Sequence, residues 1–137
     1  MGRILAIDYG SKRCGIAVTD ELQLIASALT TVPARELVPW LLQYTNDESV
    51  DLCLIGEPKR MHNVPSDIEA DIQKCIQQIG KVLPDLLIKR MDERFTSKIA
   101  TAALRTSGAS KKKRRDKGLI DQISATLLLQ DYLQYYK

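Results

Sequence analysis

The chain has 137 residues, of which 45% are hydrophobic and 27% are charged, so it is long enough to fold around one ordinary core. Its formal net charge of +3 is too small to identify a partner, and its single histidine, His62, argues against triads and zinc centres that need histidine. No apolar run approaches the length of a membrane span, and the N-terminus leads directly into a strand pattern. We therefore expect one cytoplasmic domain over residues 1–137, without a signal peptide or a membrane segment.

The first part of the chain predicts three consecutive strands. An apolar run from Ile4 to Ile7 ends in Asp8, and a second run covers residues 16–18 after a Gly-Ser-Lys-Arg turn. Residues 22–31 are rich in β-branched and small apolar side chains, and Pro33 ends them. Short connections favour an antiparallel meander, and apolar residues of both parities predict a first strand that is covered on both faces.

Two glycines in this segment, Gly10 and Gly15, would let a backbone or a phosphate approach closely. The three cysteines, Cys14, Cys53 and Cys75, lie in separate apolar runs. Their odd number and wide spacing favour buried thiols in a reducing compartment over a disulfide framework or a zinc site.

Helices and strands alternate in the rest of the chain. The predicted elements are a helix from near Val38 to Tyr44, a buried strand over 50–56, a loop over 57–65, a helix from a Ser66–Glu69 capping box to Gly80, a strand over 86–91, a helix from Thr96 or Ser97 to Leu104, and a helix over 119–136. A helix that leads into the strand at 50–56 implies a crossover to a parallel position. The order predicts an α/β fold with a mixed five-stranded sheet flanked by helices.

Three acids stand at the ends of predicted elements. Asp8 follows the first strand, Glu93 follows the last strand, and Asp121 lies in the first turn of the final helix, on a face of small and apolar residues. Hard oxygen ligands without imidazole suit divalent cations such as Mg²⁺ or Mn²⁺. Two metals held by shared carboxylates can activate a water and stabilise the leaving oxygen of a phosphodiester.

Each acid also has a purely structural interpretation. Asp8 resembles a turn residue, Glu93 can pair with Arg90 or Arg94 on the surface, and Asp121 can offset the helix dipole. These alternatives stay open at the level of single residues. Taken as a set, with basic residues nearby, the three acids support the metal site and the structural interpretation equally.

Basic residues are concentrated around these acids. The candidates for nucleic-acid binding are Lys12, Arg13, Lys59, Arg60, Arg94, Lys111, Lys112, Lys113, Arg114, Arg115 and Lys117. Positive charge of this kind binds phosphate backbones, although an isolated basic run is also typical of a solvated loop. Aromatic residues are only 5% of the chain and are not interleaved with the basic ones, which favours recognition of backbone or shape over base stacking.

Four blocks of the sequence resemble the YqgF (RuvX-like) family of Holliday junction resolvases and pre-16S rRNA nucleases. The blocks are residues 6–20 (AIDYGSKRCGIAVTD), 55–58 (IGEP), 92–97 (DERFTS), and 117–125 (KGLIDQISA) with 129–133 (LQDYL). They span nearly the whole chain in the family's order.

The resemblance implies a ribonuclease H-like fold and a metal-dependent nuclease whose acids are Asp8, Glu93 and Asp121. It implies Mg²⁺ or Mn²⁺ as the metal, and pre-rRNA or branched DNA as the substrate. It also places the protein near the ribosome or its precursors in a bacterial cytoplasm, as a monomer or a homodimer.

Two other functions compete with the nuclease. One is a nucleic-acid-binding or ribosome-assembly module with little or no catalysis, in which the acids are vestigial. The other is half of an actin-like ATPase, since an Asp-X-Gly hairpin also opens that fold, but 137 residues are too few for the two domains that it needs.

Overall fold

The computed structural model of the protein describes residues 2–58, 68–92 and 117–136, with Lys117 described by its backbone alone. Within these ranges the chain forms five strands, a short 3-10 turn and three α-helices. They are β1 (Arg3–Tyr9), β2 (Arg13–Thr19), β3 (Ala26–Pro33), the 3-10 turn Ala34–Glu36, α1 (Leu37–Asp47), β4 (Val50–Glu57), α2 (Glu69–Val82), β5 (Leu87–Asp92) and α3 (Lys117–Tyr135). The predicted helix over 96–104 lies outside the described residues.

The five strands form one mixed sheet in the order β3-β2-β1-β4-β5. β1 pairs antiparallel with β2, and β2 pairs antiparallel with β3, which confirms the predicted meander. β4 joins the other side of β1 in parallel, and β5 joins β4 in parallel, as the predicted crossover requires. The carboxyl ends of β1, β4 and β5 therefore meet at one edge of the sheet.

Apolar side chains cover β1 on both faces, which confirms the interpretation of its sequence. Leu5 and Ile7 pack with α1 and α2 on one face, and Ile4 and Ala6 pack with α3 on the other. All four side chains are at most 2% exposed. Burying a large aliphatic side chain stabilises a fold by about 1.5–3 kcal/mol, so these two layers hold β1 firmly in the middle of the sheet.

The third strand begins at Ala26, four residues later than the sequence predicts. The carboxylate of Asp20 holds the preceding segment in a turn, in which Gln23 has a φ of 59°. Asp20 accepts hydrogen bonds from the backbone N–H groups of Ile25, Leu24 and Leu22, at 2.8, 2.9 and 3.2 Å. The first two of these bonds do most to hold the pKa of Asp20 below its ordinary value. The apolar composition of residues 22–25 therefore misled the strand prediction.

Helix ends also differ from the predicted ones. α2 continues through Gly80 to Val82, since Gly80 faces open space and does not interrupt the helix. The described part of α2 begins at Glu69, and Ser66 of the predicted capping box lies outside the described residues. α3 begins at Lys117, two residues before the predicted start, so Asp121 lies beyond the first turn.

Candidate metal and nucleic-acid site

Asp8 lies at the end of β1, at the edge of the sheet where the parallel strands terminate. It pairs across the ladder with Gly15 of β2. Because side chains alternate along a strand, Asp8 points to the same face as Ile4 and Ala6, the face that α3 covers. Its side chain is neither fully buried nor fully exposed.

Gly15 is the point at which α3 meets the sheet. A Cβ atom at this position would collide with the backbone carbonyl group of Asp121 and would lie 2.6 Å from the backbone N of Gln122. Only a residue without a side chain lets the helix approach this closely, as the sequence predicts for this glycine. Paired residues of an antiparallel ladder have Cβ positions about 4.5–5.5 Å apart, so Asp8 lies about this far from the Cβ position of Gly15. The backbone of Asp121 lies at that same position, so Asp8 and Asp121 are both neighbours of Gly15.

Cys14, the neighbour of Gly15, is affected by both carboxylates. Burial raises the pKa of its thiol to about 12, and the negative charges of Asp8 and Asp121 add to the effect. Cys14 packs on the opposite face of the sheet, with α1 and α2. It is a free, buried thiol, as are Cys53 and Cys75, and it stays protonated at neutral pH.

A cleft of about 420 Å³ is lined by residues 10–13 and by one of the two acids, Asp121. The turn between β1 and β2 forms its wall. Gly10 closes the turn by donating its N–H to the carbonyl of Arg13 at 3.0 Å, and Ala34 donates its N–H to the carbonyl of Lys12 at 3.0 Å. These bonds fix the backbone of the turn, so the cations of Lys12 and Arg13 are held beside the cleft.

Arg13 forms an ion pair with Asp121, with Nε 3.3 Å from Oδ2. The Arg13 side chain is 33% exposed and that of Asp121 is 25% exposed. Nε of Arg13 is itself buried and makes no hydrogen bond to the residues that the structure describes, so the contact is electrostatic. Partial burial reduces the screening of this pair by solvent.

The structure thus brings together two of the three predicted acids and two of the predicted cations. Glu93, His62, Lys59, Arg60 and Arg94 lie outside the described residues. The same is true of Lys111, Lys112, Lys113, Arg114, Arg115 and the side chain of Lys117. Their roles remain predictions from the sequence.

Arg90 is a structural residue that the sequence analysis considered only as a partner of Glu93. Its guanidinium binds Glu69 of α2 in a bidentate pair, with distances of 2.7 and 2.9 Å. It also donates to the carbonyls of Ile55 at 3.2 Å and Gly56 at 2.9 Å. Arg90 therefore joins β5, the end of β4 and the start of α2 near the edge that carries Asp8.

Thr31 and Gln122 form a second contact that the sequence did not indicate. The hydroxyl of Thr31 donates to the carbonyl of Gly118 at 2.9 Å, and Gln122 Nε2 donates to the same hydroxyl at 2.8 Å. No periodicity marks a threonine in an edge strand as the partner of a distant helix. Only the tertiary contact reveals it.

Comparison with solved structures identifies the fold. The chain superimposes on Thermus thermophilus RuvC in complex with a Holliday junction substrate, with a TM-score of 0.59 at 13% identity, over 99% of this chain and 97% of that one. A second Thermus thermophilus RuvC structure gives a TM-score of 0.56 at 14% identity, over 96% and 95%. The architecture is the ribonuclease H-like fold that the resemblance implies.

Two curated relatives of this chain carry the name "Putative pre-16S rRNA nuclease". The relative from Christiangramia forsetii is 53% identical over 133 residues, which is 97% of this chain and 98% of the relative. The relative from Phocaeicola vulgatus is 47% identical over 137 residues, which is 100% of this chain and 99% of the relative. The family model described as "RuvX: Holliday junction resolvase" matches residues 2–135. The chain belongs to the RuvX (YqgF) family, a family of nucleases.

In the described part of the chain, every helix is too short or too polar to cross a membrane.

Proposed function

We propose that this protein is a divalent-metal-dependent nuclease that hydrolyses phosphodiester bonds of structured nucleic acid. The observation that carries the proposal is that Asp8 and Asp121 flank Gly15 at the sheet edge, beside the cations of the turn over 10–13. The name of the relatives favours pre-16S rRNA as the substrate. The family description favours Holliday junction DNA as a second substrate.

Asp8 and Asp121, together with Glu93, would hold Mg²⁺ or Mn²⁺. Carboxylate oxygens are the donors that these ions prefer, and the nearest thiol, Cys14, packs on the other face of the sheet. Among residues 2–58, 68–92 and 117–136, no three His, Cys, Asp or Glu side chains form a metal cluster. The third ligand is proposed from the sequence, where Glu93 directly follows Asp92, the last residue of β5 at the same edge. When bound, such an ion lowers the pKa of water and offsets charge on the phosphodiester.

The cationic side chains of the cleft would bind the substrate phosphates. Lys12 and Arg13 lie on a turn whose backbone is fixed by hydrogen bonds, so mainly the two side chains lose conformational freedom when a phosphate binds there. Arg13 also neutralises part of the charge of Asp121. Contacts from the basic residues over 111–117 would extend along the backbone and make binding depend on salt.

The experiment is cleavage of pre-16S rRNA and of a four-way DNA junction with Mg²⁺ or Mn²⁺ by the wild type, Asp8→Asn and Asp121→Asn. We expect each variant to lose about 100-fold or more in rate, as when a group that stabilises developing charge is removed. Asp131→Asn is the matched control, because Asp131 is an exposed acid on the same helix, about 15 Å further along its axis. It should cleave like the wild type.

Equal cleavage by the wild type, Asp8→Asn and Asp121→Asn would refute the proposed site. If the wild type binds both substrates but cleaves neither with either metal, the protein is a nucleic-acid-binding module instead. The ratio of the two wild-type rates identifies the preferred substrate.

A further inference from the structure

We propose that Thr31 and Gln122 are positioning residues that set the place of Asp121 in the metal site. This inference rests on the proposed function, since it assigns a role to residues around the same acid. It starts from one row of residues that crosses three strands of the sheet. Asp8 of β1 pairs with Gly15 of β2, and Gly15 pairs with Thr31 of β3.

The three members of this row have different tasks on the face that α3 covers. Asp8 supplies a carboxylate, and Gly15 supplies the gap into which the helix backbone fits. Thr31 supplies the hydrogen bonds that hold the helix over that gap. The row therefore aligns the helix with the acid of β1.

Thr31 forms hydrogen bonds with one residue before Asp121 in the sequence and one residue after it. Its hydroxyl donates to the carbonyl of Gly118 and accepts from the side chain of Gln122, at 2.9 and 2.8 Å. These two bonds use the hydroxyl as donor and as acceptor, so its rotation is fixed. The contact at Gly15 sets the height of the helix above the sheet, and the bonds at Thr31 resist sliding and rotation of its first two turns.

Rotation of this part of α3 would move the Asp121 carboxylate relative to Asp8. A metal site tolerates only small errors in ligand position, and loss of a group that orients a ligand costs about 10- to 100-fold in metal affinity or activity. Thr31 and Gln122 touch neither metal nor substrate in this assignment. They act through Asp121.

The test compares Thr31→Val, which keeps the shape of the side chain without its hydroxyl, with Thr31→Ser, which keeps the hydroxyl. Thr30→Val is the matched control, because Thr30 pairs with Ile16 and so belongs to the opposite face of the sheet. Each purified protein is titrated with Mn²⁺ alone, and amide hydrogen exchange of residues 118–122 is measured without metal. The values of kcat and KM are then measured on the substrate that the wild type cleaves.

We expect Thr31→Val to bind Mn²⁺ about 10-fold more weakly, to exchange faster at 118–122, and to lose kcat with little change in KM. Thr31→Ser should restore all three, and Thr30→Val should match the wild type. Gln122→Met, which removes the other half of the contact, should reproduce the loss, and it carries the test by the same criteria if Thr31→Val fails to fold.

Wild-type Mn²⁺ affinity and kcat in Thr31→Val would overturn the inference, as would equal losses in Thr31→Val and Thr30→Val. Asp121→Asn separates this failure from failure of the proposed function. If Asp121→Asn loses Mn²⁺ binding and cleavage while Thr31→Val keeps both, only the positioning role is wrong. If Asp121→Asn also behaves like the wild type, the proposed site itself is wrong.

Discussion

Gly15 shows how a single missing side chain determines the contact between α3 and the sheet. The backbone of Asp121 occupies the space that a Cβ atom would fill, and Gln122 N lies 2.6 Å from that position. Any larger residue must displace the helix, the sheet or both. The acid that the helix carries would move with it.

Substitution of Gly15 by alanine is expected to destabilise the protein by about 1–3 kcal/mol, the usual cost of overpacking a tight contact. Gly80→Ala is the matched control, because Gly80 lies in α2 and, apart from its chain neighbours and the backbone of its own helix, no described atom lies within 4 Å of its Cβ position. That change should stabilise the protein by about 0.5–1 kcal/mol, since alanine is the better helix former. Urea unfolding measures both, and a Gly15→Ala protein as stable as the wild type would contradict the contact.

At the proposed site, Arg13 would compete with a divalent cation for Asp121. Its Nε lies 3.3 Å from Oδ2, whereas Lys12 lines the same cleft with an exposed side chain. Two unit charges about 4 Å apart in water interact by about 1 kcal/mol, so Arg13→Gln should tighten Mn²⁺ binding by about fivefold. Lys12→Gln removes the same charge and should change the affinity less. Calorimetric titration of the free proteins measures this, and equal effects of the two changes would show that the ion pair has no special role.

A residue of the candidate site could be predicted from the sequence only where its type and its position in an element point to a role. A carboxylate directly after an apolar strand, as in Asp8, and an acid on a small apolar helix face, as in Asp121, both follow from residue types and spacing. Thr31 gives no such reason. Its partners lie 87 and 91 residues away, and its role depends on how the helix packs.

At the scale of elements, Arg90 holds three of them together. It joins β5 to Glu69 of α2 and to the last carbonyls of β4, at Ile55 and Gly56. The side chains of Arg90 and Glu69 are 19% and 20% exposed, so solvent screens the pair only in part. This cluster fixes the end of β4 against β5 and the start of α2.

Replacement of Arg90 by methionine is expected to destabilise the protein by about 2 kcal/mol. The value is below the 3–5 kcal/mol typical of a fully buried pair, because both groups keep some contact with water. Lys89→Met is the matched control on the same strand. Nζ of Lys89 lies 5.6 Å from the centroid of the Tyr132 ring, and this contact is worth about 0.5–1 kcal/mol. Chemical unfolding of both variants measures the difference, and equal losses would contradict the role of Arg90.

Element types and their order were predictable from hydrophobic periodicity, but several ends were not. The segment over 22–25 has the composition of a strand, yet the carboxylate of Asp20 takes up three of its backbone N–H groups and makes it a turn. Gly80 has the signature of a helix end, yet it faces solvent and α2 continues past it. In the first case a side-chain contact overrides a local preference. In the second case a glycine lowers the helix propensity without ending the helix.

At the scale of the whole molecule, the sheet order places the proposed site at one edge of the sheet. Some of the basic residues predicted to surround the site lie outside the described part of the chain. The net charge is only +3, so binding of nucleic acid depends on where the charges lie rather than on their total. The cations over 111–115 lie between β5 and α3 in the sequence, and both elements approach the site edge. They are therefore expected to contribute directly to the affinity.

Salt dependence of RNA binding tests this contribution. The background protein is Asp8→Asn, and the quantity measured is its association constant K for a pre-16S rRNA fragment. The slope of log K against log salt concentration should become less steep by up to about 2 when Lys112 and Lys113 are also changed to glutamine. Changing Lys74 and Lys81 to glutamine removes the same charge from exposed positions of α2 and should leave the slope unchanged. Fluorescence anisotropy in EDTA measures the slope without cleavage, and equal slopes for the two double variants would rule out a local role.

The arrangement of Asp8 on the first strand and Asp121 on the last described helix has a consequence for biosynthesis. A nascent chain makes β1 early, but it cannot unite the two carboxylates until α3 has emerged and docked on the finished sheet. The proposed site therefore cannot form before α3 has been synthesised and has packed on the sheet.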